Sequence, residues 1–277
     1  MKDEAQHVIA KRKAQKKIMI LDTIVARKKT EVAELRSKGI ILPDEFQNKK
    51  IPEVRGFRKA LLDFPGVSII AEAKKASPSK GVICENFNPV DIAINYHKNG
   101  AQAVSVLTDV DFFQGALVYL MQVREVVELP VLRKDFIIDP LQIKQAHKHG
   151  ADCILLIAAI LELEQLKDFQ AYGWECGMDV LVEVHDEGET EMAVEAKANI
   201  IGVNNRNLKD FSVDLETTFR LKKMIPDEIP VISESGLKTI EDFSRLRDGE
   251  VAAALIGETL MRAGSGSDLL RSLRRQP

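Results

Sequence analysis

Charged side chains follow several predicted strands, and the first of them lie within residues 69–81, IIAEAKKASPSKG. Because side chains alternate between the two faces of a strand, Ile70, Glu72 and Lys74 share one face. A carboxylate and an ammonium group therefore stand side by side where apolar residues are expected. Buried charges are costly unless they are paired or used. This segment alone predicts either a structural ion pair or a pair of groups that transfer protons.

The same change from an apolar run to polar residues recurs along the chain. Seven of eight predicted strands end in polar side chains, whereas the fourth ends in Ile157 and Ala158 without a charge. Any single residue could belong to a solvated loop or an ion pair, but the set predicts a catalytic site where the strand ends converge. The polar ends contain Glu72, Lys74 and Ser77; Thr108 and Asp109; Arg133, Lys134 and Asp135; Glu183 and His185; Asn204, Asn205 and Arg206; Ser233, Glu234 and Ser235; and Gly257, Glu258 and Thr259.

Lys134 and Glu183 are the candidates for acid–base chemistry. Lys134 shares a strand face with Leu132 and Phe136, and we expect apolar and cationic neighbours to lower its pKa, so that it donates a proton near neutrality. Glu183 is predicted to lie across the site from Lys134, on the far side of the closed barrel that the strand pattern predicts below, where it can accept a proton or stabilise a cationic intermediate. An acid and a base on opposite sides of a pocket suit ring closure followed by loss of water. We expect no metal or other cofactor, because no cluster of His, Cys and carboxylate residues stands out.

The last two strand ends predict an anion site. SESG and IGET each place Gly or Ser just before a predicted helix, where free backbone N–H groups point outward. Phosphate groups often bind at the ends of strands seven and eight of (β/α)8 barrels. The side chain of Glu258 would repel a phosphate, so we expect Glu258 to contribute only its N–H and to point away.

Four apolar side chains could line a flat pocket for an aromatic ring, namely Phe112, Phe113, Phe136 and Leu208. Ordinary packing under the loops is the other interpretation, and for Phe112 it is the one that we favour.

One unit of strand, polar loop and amphipathic helix recurs from Val67 onward. Eight such units in 277 residues predict an α/β fold, a closed (β/α)8 barrel. An open doubly wound sheet is the alternative, but it would usually carry a Gly-rich dinucleotide loop after its first strand, which KKASPSKG is not. Strands are predicted at 68–73, 103–107, 131–134, 153–157, 179–184, 200–203, 231–233 and 253–256, and helices at 90–99, 116–127, 140–149, 163–172, 190–197, 215–224 and 239–247.

A helical extension is predicted ahead of the barrel. Residues 20–37 repeat apolar positions with a period near 3.6, which is typical of an amphipathic helix, and 56–63 predicts a second, short one. Residues 1–18 are interpreted as an appended or disordered segment. We therefore predict a single structural domain, with the extension at 1–66 and the barrel at 67–277.

Composition narrows the class of protein. Hydrophobic residues make up 45% and charged residues 29% of the chain, as in soluble globular proteins, and a net charge of −3 indicates no nucleic-acid partner. No apolar run is long enough for a membrane span, and the amino terminus lacks the apolar core of a signal peptide.

Three cysteines without a metal or disulfide spacing favour a reducing cytoplasm. We expect a monomer, with a weak homodimer as the alternative.

Nine stretches, in the same order, resemble the indole-3-glycerol phosphate synthases of tryptophan biosynthesis. They are ILDTIVARKKTEV, IIAEAKKASPSKG, SVLTDVDFFQG, LRKDFIID, ADCILLI, LVEVH, GVNNRNL, ISESG and LIGETLMR. The resemblance implies a phosphorylated substrate, 1-(2-carboxyphenylamino)-1-deoxyribulose 5-phosphate, which is closed to an indole with release of carbon dioxide and then water. Since no second barrel follows, it also implies a monofunctional enzyme.

The resemblance implies roles for individual residues. Lys134, in LRKDF, matches the family's general acid for ring closure, and Glu183, in LVEVH, matches a base or a stabiliser of a cation. Lys74, in AEAKK, matches a lysine that contacts the substrate carboxylate or acts in the dehydration. Glu72, Asn204, Glu234 and Ser235 would complete the polar shell, with Arg206 orienting Glu72 or the carboxylate. The phosphate would be bound by N–H groups of Gly236, Gly257 and Glu258, and the anthranilate ring by Pro78, Phe113, Phe136 and Leu208, beside Ser77.

Two other functions remain open on the residues alone. A phosphosugar isomerase or epimerase on the same barrel would need an acid and a base but no aromatic pocket. A barrel without catalysis that only binds a phosphorylated ligand would gain nothing from burying both Lys134 and Glu183.

Overall fold

Eight parallel strands form a closed barrel, in which each strand pairs with the next and the last pairs with the first. The computed structural model describes residues 20–50, 53–208, 210–264 and 268–274. The predicted (β/α)8 barrel is confirmed, and only the sixth and seventh strands differ from their predicted bounds, by one residue. The strands are β1 Ser68–Ala73, β2 Ala103–Leu107, β3 Val131–Lys134, β4 Cys153–Ile157, β5 Asp179–Val184, β6 Ile201–Asn204, β7 Val231–Glu234 and β8 Ala253–Ile256.

Helices surround the barrel and precede it. They are α1 Ile20–Lys38, α2 Phe57–Leu62, α3 Pro89–Lys98, α4 Val118–Val126, α5 Pro140–Lys148, α6 Leu163–Glu175, α7 Glu187–Glu195, α8 Glu216–Lys222, α9 Ile240–Asp248, α10 Glu258–Ala263 and α11 Leu269–Arg274. Helix α7 begins three residues earlier than predicted because the Asp186 side chain accepts a hydrogen bond from the backbone N–H of Glu189 and caps the helix. Helix α10 begins within IGET, where a helix was expected without stated bounds, whereas the short helix α11 was not predicted. The expectation for residues 1–18 lies outside the described residues.

Apolar side chains form one layer inside the barrel and another between strands and helices. Ile70, Leu132 and Leu181 belong to the inner layer, whereas Ile69 packs in the outer one, as the alternation of faces predicts. Phe57 of α2 is fully buried in the inner layer and closes the amino-terminal end of the barrel. Side chains that follow the inner layer toward the carboxyl ends of the strands therefore point into the mouth of the barrel.

Helix α1 is fastened to the other end of the barrel by a buried ammonium group. The side chain of Lys28 is only 2% exposed, and its Nζ lies 2.8 Å from Asp109 and 2.9 Å from Asp135. Asp109 also accepts hydrogen bonds from the N–H groups of Phe112 and Phe113, in the loop after β2. Burial alone would lower the pKa of Lys28, but the two aspartates raise it, so the group is charged at neutral pH. One cation thus joins α1 to the loops after β2 and β3.

In the part of the chain that the structure describes, no helix has the length and apolar character needed to cross a bilayer. The same residues contain no group of three or more His, Cys, Asp and Glu side chains arranged for a metal ion.

Replacing Lys28 tests how firmly α1 is held. Lys28→Met leaves Asp109 without its cation in a buried setting, so the free energy of unfolding should fall by about 3 kcal/mol. Urea unfolding at pH 7 measures the difference. The matched control is Lys29→Met, at the exposed neighbouring position, which should change the free energy by less than about 0.5 kcal/mol. Equal stability of the two variants would show that the cluster does not hold α1.

Candidate active site

A cavity of about 920 Å³ opens at the carboxyl ends of the strands. Every residue that the sequence analysis selected as catalytic, substrate-binding or phosphate-binding lines it, whereas Phe112 does not. The selected residues are Glu72, Lys74, Ser77, Pro78, Phe113, Lys134, Phe136, Glu183, Asn204, Arg206, Leu208, Glu234, Ser235, Gly236, Gly257 and Glu258. The structure therefore brings these sixteen residues to one place. Six other polar residues at the strand ends do not line the cavity, namely Thr108, Asp109, Arg133, His185, Asn205 and Ser233.

Lys134 lines the cavity and lies between two carboxylates. Its Nζ donates to Oε2 of Glu183 at 2.6 Å and to Oε2 of Glu234 at 3.0 Å. The prediction that Lys134 and Glu183 lie on opposite sides of the pocket is wrong, because β3 and β5 are separated only by β4. The inward side chains of β4, Leu155 and Ile157, carry no charge. The ion pair between Lys134 and Glu183 therefore forms across the apolar side chains of β4.

The expectation that Lys134 has a lowered pKa is also wrong. Burial alone would lower this pKa, but the charges of Glu183, Glu234 and Glu72 outweigh burial and raise it. The apolar neighbours of Lys134 on its own strand could be predicted from the sequence. The carboxylates that decide its charge come from three other strands. Lys134 is therefore an ammonium at neutral pH.

Glu183 is held from several directions. Its Oε1 accepts a hydrogen bond from Nδ2 of Asn204 at 3.1 Å and lies 3.2 Å from Nε2 of His185. Burial alone would raise the pKa of Glu183, but Lys134 and His185 lower it well below its ordinary value. Glu183 is thus a carboxylate at neutral pH. His185 was placed at a strand end by the sequence analysis, but its contact with Glu183 was not predicted.

Glu234 differs from Glu183 although both contact Lys134. Burial and the nearby charge of Glu183 raise the pKa of Glu234 to about 7, against the opposing effect of Lys134. Its Oε1 is buried without a hydrogen-bond partner and lies against Gly202, where any side chain would overlap it. Glu234 can therefore exchange a proton near neutrality. The role of Gly202 was not predicted, because the effect of a glycine inside a strand depends on a neighbour that is distant in sequence.

The first pair singled out in the sequence, Glu72 and Lys74, is both an ion pair and part of the cavity. Nζ of Lys74 lies 2.6 Å from Oε1 of Glu72, and it lies 5.9 Å from the ring centroid of Phe113. Gly257 makes room for the carboxylate of Glu72, because a Cβ atom there would overlap Oε1. The side chain of Lys74 is 20% exposed and lines the cavity, so a second amino group can reach a bound molecule.

An apolar wall stands beside these charges. The rings of Phe113 and Phe136 lie 5.9 Å apart between centroids and are tilted by 36°. Pro78 and Leu208 extend the wall, as expected from the sequence. Helix α1 adds Ile20, Leu21 and Ile24, which the sequence analysis did not place in the site. An aromatic ring can be held between these surfaces.

The other end of the cavity suits an anion. Ser235 and Gly236 follow β7 with φ values of 68° and 85°, and Gly257 begins helix α10. Four cationic side chains line this end: Lys80, Arg206, Lys238 and Arg262. Their charge and the free N–H groups of the turn can neutralise a phosphate.

Glu258 is turned toward arginines at this end of the cavity. Its carboxylate accepts a hydrogen bond from Arg262 at 2.9 Å and lies 4.0 Å from Arg206. Burial alone would raise the pKa of Glu258, but Arg262, Lys80 and Arg206 lower it. Arg206 was expected to orient Glu72 or a substrate carboxylate. Its side chain contacts Glu258 and the carbonyl of Phe211 rather than Glu72, and the contact with a substrate carboxylate stays a prediction.

Comparisons with known proteins agree on one family. A family model described as indole-3-glycerol phosphate synthase matches residues 21–273. The indole-3-glycerol phosphate synthase of Desulfotalea psychrophila is 66% identical over 256 residues, which cover 92% of this chain and 98% of that protein. That of Chlorobium phaeovibrioides is 50% identical over 241 residues, 87% of this chain and 93% of that protein. Among solved structures, KGPDC from Streptococcus mutans shares the fold, with a TM-score of 0.59, 12% identity, and coverage of 76% of this chain and 96% of that one.

The variant Gly202→Ala tests whether Gly202 makes room for Glu234. The added methyl group overlaps Oε1 of Glu234, so a crystal structure of the variant should show the Glu234 carboxylate displaced from Lys134. The fold should persist, with a loss of about 1–3 kcal/mol in the free energy of unfolding. Gly188→Ala is the control, because a methyl group at that position makes only ordinary contacts. An unmoved Glu234 in Gly202→Ala would contradict the assignment.

Proposed function

The chain belongs to the indole-3-glycerol phosphate synthase family, and from this premise we propose how its side chains divide the reaction. The enzyme is a carboxy-lyase of tryptophan biosynthesis. It converts 1-(2-carboxyphenylamino)-1-deoxy-D-ribulose 5-phosphate into indole-3-glycerol phosphate, carbon dioxide and water. The observation that carries the assignment of roles is the ammonium of Lys134, held between Glu183 and Glu234 beside an aromatic wall.

Lys134 is the general acid for ring closure. As the carboxylate-bearing ring carbon of the substrate attacks the ribulose carbonyl, negative charge develops on the carbonyl oxygen. The ammonium group donates a proton to that oxygen, which becomes a hydroxyl, and Lys134 is left neutral. Because its pKa is raised, Lys134 begins every cycle with the proton that this step requires.

Glu183 stabilises the cation that ring closure produces. Attack by the ring carbon leaves positive charge on the ring and its nitrogen until carbon dioxide departs. A carboxylate that is already ionised and held by Asn204 and Lys134 needs little rearrangement to face this charge. Glu183 can then accept the proton that leaves as the indole becomes aromatic.

Lys74 serves the substrate carboxylate and the loss of water. Its ammonium lies near Phe113, on the aromatic side of the cavity, where the carboxylate of the anthranilate ring would lie. After decarboxylation the same ammonium can protonate the departing hydroxyl group. Glu72 holds Lys74, while Asn204, Glu234 and Ser235 complete the polar shell.

The two ends of the cavity orient the substrate. Phe113, Phe136, Pro78 and Leu208 hold the anthranilate ring beside Ser77. The N–H groups of Gly236, Gly257 and Glu258 hold the phosphate, and the Glu258 side chain faces Arg262. A phosphosugar isomerase would have no use for the aromatic wall, and a binding protein would have none for the acid–base groups.

Three further predictions belong to this proposal. The helical extension at residues 1–66 and the barrel at 67–277 act as one structural domain. The protein is a monomer, with a weak homodimer as the alternative. Its location is the cytoplasm, where the free thiols of Cys84, Cys153 and Cys176 stay reduced.

An assay with the proposed substrate tests the function. Purified protein is incubated with 1-(2-carboxyphenylamino)-1-deoxyribulose 5-phosphate, and the rise of indole fluorescence is followed together with carbon dioxide release. The two signals should appear in equal amounts and require no added cofactor. Absence of indole fluorescence from folded protein would refute the proposal.

Lys134→Met should abolish turnover, because the cavity loses the ammonium that donates to the carbonyl oxygen. Substrate binding, measured by titration calorimetry, should stay within a modest factor of the unaltered protein. Lys144→Met, at an exposed position on α5, is the matched control and should keep full activity. Intact activity in Lys134→Met would refute the acid assignment.

Glu183→Gln should lower kcat by roughly two orders of magnitude, in the range of general acid–base contributions. The amide keeps the shape of the side chain but removes the negative charge that faces the cationic intermediate. Steady-state kinetics at pH 7 measure the effect, with Glu195→Gln on the exposed side of α7 as the control. An unchanged kcat would remove Glu183 from the mechanism.

A further inference from the structure

A histidine and a second glutamate stand behind Glu183, outside the cavity lining. We propose that His185 and Glu189 are positioning residues that hold the carboxylate of Glu183 in place and keep it ionised through ring closure. The inference rests on the proposed role of Glu183, which it extends to two residues that do not touch the substrate.

The contacts form a chain of three side chains. Nε2 of His185 lies 3.2 Å from Oε1 of Glu183, and Nδ1 lies 2.9 Å from Oε2 of Glu189. The side chains of His185 and Glu189 are 11% and 18% exposed, and that of Glu183 is 4% exposed. Nε2 of His185 is buried, and the carboxylate that faces it is that of Glu183.

The start of helix α7 fixes Glu189. Asp186 caps the helix by accepting a hydrogen bond from the N–H of Glu189 at 3.0 Å. The Glu189 side chain reaches back and accepts from the backbone N–H of His185 at 2.8 Å, as well as contacting its ring. A carboxylate in the first turn of a helix is also favoured by the helix dipole. The imidazole is therefore oriented by a rigid element rather than by a loop.

The imidazole carries a positive charge in this setting. Burial alone would lower the pKa of His185, but Glu183 and Glu189 raise it to about 10. The charged groups that face Glu183 are Lys134 from β3, Glu234 from β7 and His185 itself. Glu72 of β1 acts on Lys134 and Glu234. Glu183 thus has one cation beside each of its two oxygens, Lys134 at Oε2 and His185 at Oε1.

The positive charge of His185 becomes important after Lys134 has donated its proton. When Lys134 gives its proton to the carbonyl oxygen, it becomes neutral and no longer compensates the charge of Glu183. A buried carboxylate without a cation is strongly destabilised and tends to take up a proton. The imidazolium of His185 does not donate in the step, so it keeps Glu183 ionised while positive charge forms on the substrate.

Three variants test the inference: His185→Gln, Glu189→Gln and, as the matched control, Glu191→Gln at an exposed position of α7. His185→Gln should lower kcat about tenfold, a partial loss within the range of acid–base contributions, and leave KM within about twofold. Because Glu183 loses a cation, its pKa rises, and the acidic limb of the kcat profile should move to higher pH. Thermal unfolding confirms that each variant is folded.

Glu189→Gln gives a different signature. Loss of this carboxylate lowers the pKa of His185, so the imidazole loses its proton at a lower alkaline pH than in the unaltered protein. In that pH range kcat of the variant should decline, whereas kcat of the unaltered protein should stay constant. NMR titration of the imidazole signals, with His185→Gln to assign its resonance, measures the pKa directly. In the unaltered protein His185 should stay protonated until about pH 10, and Glu191→Gln should titrate identically.

Two results would overturn the inference. One is an unaltered protein in which His185 titrates near the ordinary histidine value. The other is His185→Gln with unchanged kcat and an unchanged acidic limb. The NMR titration needs no substrate, so it separates this inference from the proposed function. If the unaltered protein does not convert the substrate, a lower His185 pKa in Glu183→Gln would still establish the contact.

Discussion

The contact between Lys134 and two buried carboxylates is the constraint around which the mouth of the barrel is built. Each of these charges would be unfavourable alone in the barrel interior, and each is stabilised by the others. Only a closed sheet can bring them together, because they arise on β3, β5 and β7, separated by about fifty residues or more of sequence each time. The alternation of side chains aims all three inward at the same height.

The residues around Lys134, Glu183 and Glu234 leave space for these side chains. Strand β4 passes between β3 and β5 with only apolar side chains facing inward, so it adds no charge beside the ammonium of Lys134. Gly202 and Gly257 lack side chains where the carboxylates of Glu234 and Glu72 lie. Glu183 stays ionised because Lys134 and His185 lower its pKa, whereas the pKa of Glu234 is raised by burial and by the charges of Glu183 and Glu72.

The barrel and the membership of the site could be predicted from the sequence. Apolar runs with polar ends mark the strands, and alternation assigns Glu72, Lys134 and Glu183 to the inner face. The distances across the barrel could not be predicted, because they depend on how far the strands tilt as the sheet closes. The placement of Glu183 opposite Lys134 was wrong for a simpler reason, since only β4 separates β3 from β5 in the closed sheet. The direction of the pKa shift of Lys134 was wrong because the carboxylates that raise this pKa come from other strands.

The roles of the remaining residues could not be predicted from the sequence, for one physical reason. Their partners are distant in sequence, or their function is to leave space, and neither property shows in local patterns. Lys28 looks like one of many lysines on an amphipathic helix until Asp109 and Asp135 are placed beside it. The pair His185 and Glu189 has a visible cue, since Asp186 and Glu189 have the spacing of a helix capping box. That cue predicts a helix start but not the contact with Glu183.

The anchorage of α1 fixes one side of the cavity. Because Lys28 ties α1 to the loops after β2 and β3, separating them would expose several buried charges. Ile20, Leu21 and Ile24 of α1 therefore line the cavity as a fixed surface. Lys80, in the hairpin at 76–82, and Lys238, after β7, are exposed residues of the cavity lining. A negatively charged ligand that approaches the cavity is attracted by these two lysines.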